Sequence, residues 1–417
     1  MFLKECKQII KSITYIAFAV ILIVFCFSQI ESEFKRIEKP TKGLENYGIK
    51  YDINSKALIP NACSFLALEY RANKYTAYPI GFYKQVKLNK NKQSEIAGIL
   101  KEMTGLSSAE LITLVNNYIT SASQSSSTST GPFSPDVISL PLSQSLTRDK
   151  FFKLMKKADD IIGGGSKYSS TYLAQFGRTQ KTYEEALTEY NNIIETDKVT
   201  GAYARLFCDY LGIMLAILPV FVATAFCMKD RRAKMQELIY IRQLPSLKIT
   251  FIRYLALITM MFLPVLLLAV YWTIVVLRKY SGFTLDILAF IKYSFSWLLP
   301  TLMVSTSVGM FLTELTDTPI AILIQGLWWF IGLFAGMKYI DGGYGTCLAL
   351  RHNVLGNTRI YIDNFSTLVI NRVVYIIFAI TLIALTVMIY EFKRRGKLNV
   401  WGNFKKVFTY FADKPKA

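Results

Sequence analysis

Six runs of apolar residues dominate this chain, at about Ser12–Ile30, Leu206–Met228, Tyr254–Leu277, Tyr293–Leu312, Pro319–Met337 and Val373–Tyr390. A hydrocarbon core about 30 Å thick needs roughly 20 mostly apolar residues in a helix. Only helices or closed barrels satisfy every backbone N–H and C=O inside lipid. Six such runs predict an α-helical polytopic membrane protein. They argue against a soluble globule and against disorder, since 52% of residues are apolar and only 18% are charged.

The charges give an orientation. The chain has 48 Lys and Arg against 29 Asp and Glu, a net +19, a balance that in other settings marks a nucleic-acid binder. Here the excess gathers beside the apolar runs, and no nucleic-acid partner is expected. Lys4, Lys7 and Lys11 precede the first run. Seven basic residues against Asp230 and Glu237 fill 229–253, and eight against Glu391 and Asp413 fill 391–417. Alternating crossings put all three segments on one side, which the positive-inside rule makes the cytoplasm. Arg278, Lys279 and Lys292 run against the rule. The first run also resembles a signal peptide, but Phe25–Glu33 has no small-x-small cleavage pattern, so an uncleaved anchor is expected.

The predicted layout is residues 1–30 as cytoplasmic N-terminus and first span, and 31–205 as an extracellular domain of mixed α/β or mostly helical fold. A five-helix membrane domain follows over 206–390, with a basic cytoplasmic tail over 391–417. Ser121–Thr130 is a low-complexity linker within the outer domain. Tyr47–Ile53 and Tyr78–Leu88 read as strands. A capping box at Ser107 and Glu110 opens a helix with Leu111, Leu114, Val115 and Tyr118 on one face. A helix over Asp149–Ile162 ends at Gly163–Gly165. Another is capped by Thr182 and Glu185 and carries Ala186, Leu187, Tyr190 and Ile194 on one face.

Catalytic signals are scarce. Gly163-Gly164-Gly165-Ser166-Lys167 lacks the terminal Gly-Lys-Ser/Thr order of a Walker A loop, so it reads as a turn, and the chain is expected to have no ATPase site. His352 is the only histidine, which removes most zinc sites and histidine-based triads; it is expected to be solvated or locally hydrogen-bonded. Cys63 and Cys347 are the two cysteines expected outside, and a disulfide between them is conceivable. No ionisable residue lies in the core of a run, and Asp209 falls near the outer end of the second. A gradient-driven carrier would place carboxylates there, so the energy source is expected outside this chain. Ser305, Thr306, Ser307, Gly309, Gln325, Gly326, Trp328 and Trp329 read first as small-residue helix packing. The sharper reading makes Ser305, Ser307, Gln325, Trp328 and Trp329 a substrate path.

The loop from Lys229 to Lys248 contains Glu237-Leu238-Ile239-Tyr240 and, further on, Leu244-Pro245-Ser246. It resembles the permease subunits of ABC-2 type transporters, in which a Glu-Leu-hydrophobic-Tyr stretch and a Pro-Ser step lead into the next span. The resemblance covers about 230–255 in motif and 206–390 in topology, with a large outer domain between the first two spans. It implies a multi-pass protein of a cell (plasma) membrane, bacterial, with both termini cytoplasmic. It further implies an ABC exporter whose separate ATPase subunit carries ATP and Mg, while this chain binds no cofactor or metal. The implied partners are that ATPase, a second permease copy or a related permease, and membrane lipid. The implied ATPase contact is Arg231, Arg232, Glu237, Leu238, Tyr240, Leu244, Pro245 and Ser246, with Asp317 from the Glu314–Thr318 turn. An amphipathic peptide, lipid or drug is the implied cargo. Two rivals remain: a non-transport scaffold or receptor whose outer domain binds a partner, and a lipid-acting membrane enzyme, for which no catalytic constellation assembles.

Overall fold

The computed structural model describes residues 1–34, 37–79, 83–124, 138–233, 244–337, 345–352 and 354–396. The chain is mostly helical and divides into two compact units. One comprises Met1–Glu38, Glu189–Gly336 and Asp341–Ala417; the other comprises Lys39–Thr188 with Met337–Ile340. The inserted unit is thus shorter than the 31–205 segment expected to be extramembranous.

The helical unit opens with α1 (Phe2–Ile10), an amphipathic helix that buries Cys6 and Ile9 and exposes Lys4 and Lys7. The Ser12 hydroxyl accepts the Tyr15 N–H at 3.2 Å and opens α2 (Ile13–Ile30), an N-cap of the usual kind.

The inserted unit contains β1 (Ile49–Tyr51), α3 (Leu58–Ala72), β2 (Tyr75–Ala77), β3 (Lys84–Val86), α4 (Lys90–Thr104), α5 (Ser108–Gln124), α6 (Arg148–Ile162), β4 (Arg178–Gln180) and most of α7 (Tyr183–Asn191). Its strands form two antiparallel pairs, β1 with β4 and β2 with β3. The remaining order is helical, with Leu66, Ile96, Val115, Phe151 and Phe176 in one core. Ser107 and Glu110 form the expected capping box, as do Thr182 and Glu185. Leu114 departs from expectation: it is exposed while Leu111 and Val115 are buried. The α5 core face is therefore narrower than the apolar spacing suggests.

After α7 come a π turn (Asn192–Thr196), α8 (Thr200–Leu215) and α9 (Leu218–Arg232). Next are α10 (Ser246–Lys279), α11 (Ala289–Tyr293), a second π turn (Ser294–Leu298) and α12 (Leu299–Thr316). Last come α13 (Ile320–Met337), α14 (Thr358–Asp363) and α15 (Phe365–Arg394). Among the described residues five helices are long and apolar enough to cross a membrane: Ile13–Ile30, Thr200–Arg232, Ser246–Lys279, Ala289–Thr316 and Phe365–Arg394. They leave Val24, Leu267, Ile370 and Ile377 exposed, a surface suited to lipid rather than water. The run expected as the fifth of six spans is helical as α13, which is not among those five.

The Thr200–Arg232 helix is broken. Pro219 has no N–H to give, and at the break the Ile217 N–H bonds the Met214 carbonyl in a tight turn. Beyond the break α9 packs closely on α12. A Cβ added at Gly309 would stand 2.8 Å from the Ala223 Cβ, so only glycine permits this approach.

Candidate functional site

Contacts within the helical unit gather the chain at two ends. At one end Arg231, in the last turn of α9, pairs with Glu314 (3.4 Å) and Asp317. Lys393, near the end of α15, pairs with the same Asp317 at 2.5 Å and donates to the Glu314 carbonyl. Arg253 of α10 holds Asp230 at 2.6 Å and reaches Glu5 of α1 at 3.8 Å. The Ser246 hydroxyl donates to Glu391, and Arg394 donates to the Leu244 carbonyl at 2.7 Å. Asp317 is the left-handed residue that ends α12, at φ 61°. That conformation, which Asp and Asn tolerate better than most side chains, lets one carboxylate meet cations from two helices.

Of the expected ATPase contacts, Arg231, Leu244, Ser246 and Asp317 lie within this cluster, Pro245 is the N-cap residue of α10, and Arg232 is exposed. Glu237, Leu238 and Tyr240 lie outside the described residues.

The expected path residues take several places. The Ala216 carbonyl, at the break, accepts from Gln325 Nε2 at 2.6 Å and from the Ser305 hydroxyl at 3.2 Å. Trp329 Nε1 donates to the Ile213 carbonyl at 2.8 Å. The Ser307 hydroxyl turns back to the Val304 carbonyl of its own helix. Trp328 packs on Tyr375 and Phe378 and lines an apolar cleft of about 440 Å³ along α15. Three of the five therefore satisfy backbone carbonyls beside a broken helix, as polar side chains in helix bundles do when lipid offers no alternative partner.

The other end holds buried charge at the edges of the apolar runs and corrects one expectation. Charge does lie within membrane-length helices: Arg205 is 1% exposed and bonds Asp197 at 2.5 Å, and Asp209 pairs with Arg351 at 2.6 Å. Arg372 of α15 is also buried. It donates to the carbonyls of Trp297, Cys347 and Leu348 and to the hydroxyl of Thr301. These helices begin about two turns before their apolar runs, so Arg205 and Arg372 stand one residue ahead of the second and sixth runs, and Asp209 lies near the outer end of the second. His352 is the correction: of the two expected roles the solvated one fails, since it is 1% exposed and edge-on to Tyr361, while its carbonyl accepts locally from Asn357. Burial first, then Arg205, Arg372 and Arg351, pushes its pKa down to about 3. It is neutral at physiological pH. Two of the three basic residues that opposed the charge rule have partners here, since Lys279 donates to the Phe34 carbonyl and Lys292 pairs with Asp286 at 2.9 Å.

In the inserted unit, four of the five amides of the glycine turn are engaged. Those of Gly163 and Gly164 bond the Asp159 carbonyl, that of Ser166 the Asp159 carboxylate, and that of Lys167 the Thr76 carbonyl. A phosphate would find those four amides occupied. The half-buried Glu69 carboxyl accepts from Tyr168 at 2.6 Å and from the Thr76 N–H at 2.9 Å. Burial raises its pKa despite those bonds. Neither Cys63 nor Cys347 is part of a disulfide. Among the described residues no group of His, Cys, Asp and Glu has the arrangement of a metal site.

The helices and their lipid-suited exterior define a membrane protein. No family model, no curated protein and no solved structure matches this chain.

Proposed function

We propose that this chain is the permease subunit of an ATP-driven exporter of the ABC-2 type. In this reading six segments, α13 among them, cross the membrane, both termini are cytoplasmic, and 39–188 stands outside. A separate ATPase subunit holds ATP and Mg and binds at the basic loop between α9 and α10. A second permease, identical or related, completes the path for an amphipathic peptide, lipid or drug.

The observation that carries the reading is the convergence of Arg231 on Glu314 and Asp317. The flank of the basic loop and the turn after α12, each expected to meet the ATPase, lie against one another. A partner pressing on the loop would also press on the ends of α12 and α15.

The test is a Leu238→Asp, Tyr240→Ala double variant against a Lys229→Gln, Lys234→Gln control. Burying one large apolar side chain contributes about 1.5–3 kcal/mol, and interface energy concentrates in a few such anchors. The first variant should insert normally yet fail to pull down a nucleotide-hydrolysing subunit, while the control retains it. If the wild-type complex contains no such subunit, the scaffold reading takes its place.

A further inference from the structure

Successive residues of a helix are turned by about 100°, which gives α1 three distinct sides. Phe2, Cys6 and Ile9 share one, Leu3 and Ile10 the next, and Lys4, Lys7 and the C-cap residue Lys11 the one beyond. Cys6 and Ile9 are buried, and Phe2 packs against the same core. Leu3 and Ile10 are 79% and 48% exposed, and all three lysines are exposed. Two contacts fix how the helix is turned. Glu5, its one acid, reaches Arg253 at 3.8 Å, and Gln8 accepts from Lys229 at 2.6 Å. Beyond Lys11 the apolar exposure continues. Ile13, the first residue of α2, is 84% exposed, and Ile16, Val20 and Val24 follow it on the same face, exposed as well. Apolar side chains therefore run without a gap from α1 onto a helix of membrane-spanning length.

We infer that α1 is a membrane-surface helix that gathers anionic phospholipid, with Leu3 and Ile10 among the acyl chains and Lys4, Lys7 and Lys11 at the level of the phosphates. Its depth follows from α2. The 18 residues of α2 make a helix about 27 Å long, close to the hydrocarbon thickness of about 30 Å. Ile13 therefore stands at one edge of the hydrocarbon. Only Lys11 and Ser12 separate α1 from that edge, so α1 is held at the headgroup layer. A helix with adjoining apolar and basic sides settles there with its apolar side about 5–10 Å deep. Charge complementarity selects an anionic lipid over a zwitterionic one, because Glu5 turns away to Arg253 and leaves the three lysines without an acid on their own side of α1. The inference does not depend on the transport reading; it needs only that α2 crosses a membrane.

The test uses the full chain with the photocrosslinking residue p-benzoylphenylalanine in place of Leu3, in nanodiscs of mixed phosphatidylcholine and phosphatidylglycerol. Adducts are identified by mass spectrometry. They should be phospholipid, with phosphatidylglycerol enriched above its share of the bilayer. A basic residue near a charged leaflet contributes about 1 kcal/mol. Lys7→Gln should therefore lower that enrichment about fivefold, at about 1.4 kcal/mol per tenfold. Lys7→Arg keeps the charge and should retain the enrichment, which separates loss of charge from any disturbance of the helix. Arg395→Gln, which removes an exposed charge at the same end of the bundle, should retain it too. Adducts to protein in place of lipid would make this side of α1 a protein contact and overturn the inference. So would phosphatidylglycerol adducts no more frequent than its share of the bilayer, or equal losses in Lys7→Gln and Arg395→Gln.

Discussion

Asp317→Asn isolates the charge at the junction of α9, α12 and α15. Asparagine keeps the size of the side chain and its tolerance of the left-handed backbone, so the substitution removes charge and little else. Two charge-assisted bonds are affected, from Arg231 and Lys393. A hydrogen bond to a charged group contributes about 1.5–3 kcal/mol. Glu314 remains 3.4 Å from Arg231 and 3.9 Å from Lys393, and the amide oxygen still accepts, so the expected loss is about 2–4 kcal/mol. At roughly 2–4 °C per kcal/mol, the thermal midpoint of the detergent-solubilised protein should fall by about 4–16 °C. Lys393→Met supplies the second arm of a double-mutant cycle, followed by helical circular dichroism. Residues in one network couple by about 0.5–3 kcal/mol, whereas independent sites add to within about 0.3–0.5 kcal/mol. Additivity within that error would refute a shared carboxylate. Because Lys393 and Arg231 are only 7% and 14% exposed, shortening the Debye length from about 10 Å to about 3 Å with salt should change the coupling little.

Two further expectations concern the opposite end. Asp197→Asn leaves the Arg205 guanidinium buried without its carboxylate and should cost about 3–5 kcal/mol; Asp197→Leu with Arg205→Met, which leaves no charge, should recover most of that midpoint loss, and failure to recover would show that shape matters more than charge there. His352 has a depressed folded pKa, so its contribution is complete above the unfolded value of about 6.5 and is lost as pH falls toward about 3. Below pH ~6.5 it should add a slope of about 1.4 kcal/mol per pH unit to the acid limb of stability. His352→Gln should flatten that limb, and an unchanged limb would place protonation elsewhere.

The apolar runs were legible because spanning length is a property of local sequence, and the capping boxes at Ser107 and Thr182 because a cap is local too. Arg205 and Arg372 were not, because their burial depends on helices extending past their apolar runs and on carbonyl partners distant in sequence. Arg372 meets Trp297 and Thr301, more than seventy residues away. The roles of Ser305 and Gln325 were hidden for a related reason. The carbonyl they serve is released by a break about a hundred positions earlier, and nothing in the Ser305 or Gln325 neighbourhood announces it. Asp317 was singled out only as part of a turn; its two cations come from α9 and α15.

The break at Ala216 has a mechanical consequence. An intact helix transmits tilt from end to end, because each turn is fastened to the next by its own backbone. Here the fastening passes through Ser305 and Gln325 of two neighbouring helices, and side chains reorient where a backbone cannot. The segments above and below Ile217 can therefore change their mutual angle while Ala216 keeps its donors. Movement imposed through Arg231 at the foot of α9 would then be divided at the middle of the bundle, part lost as bending and part passed on to α8 and the charged cluster around Arg205.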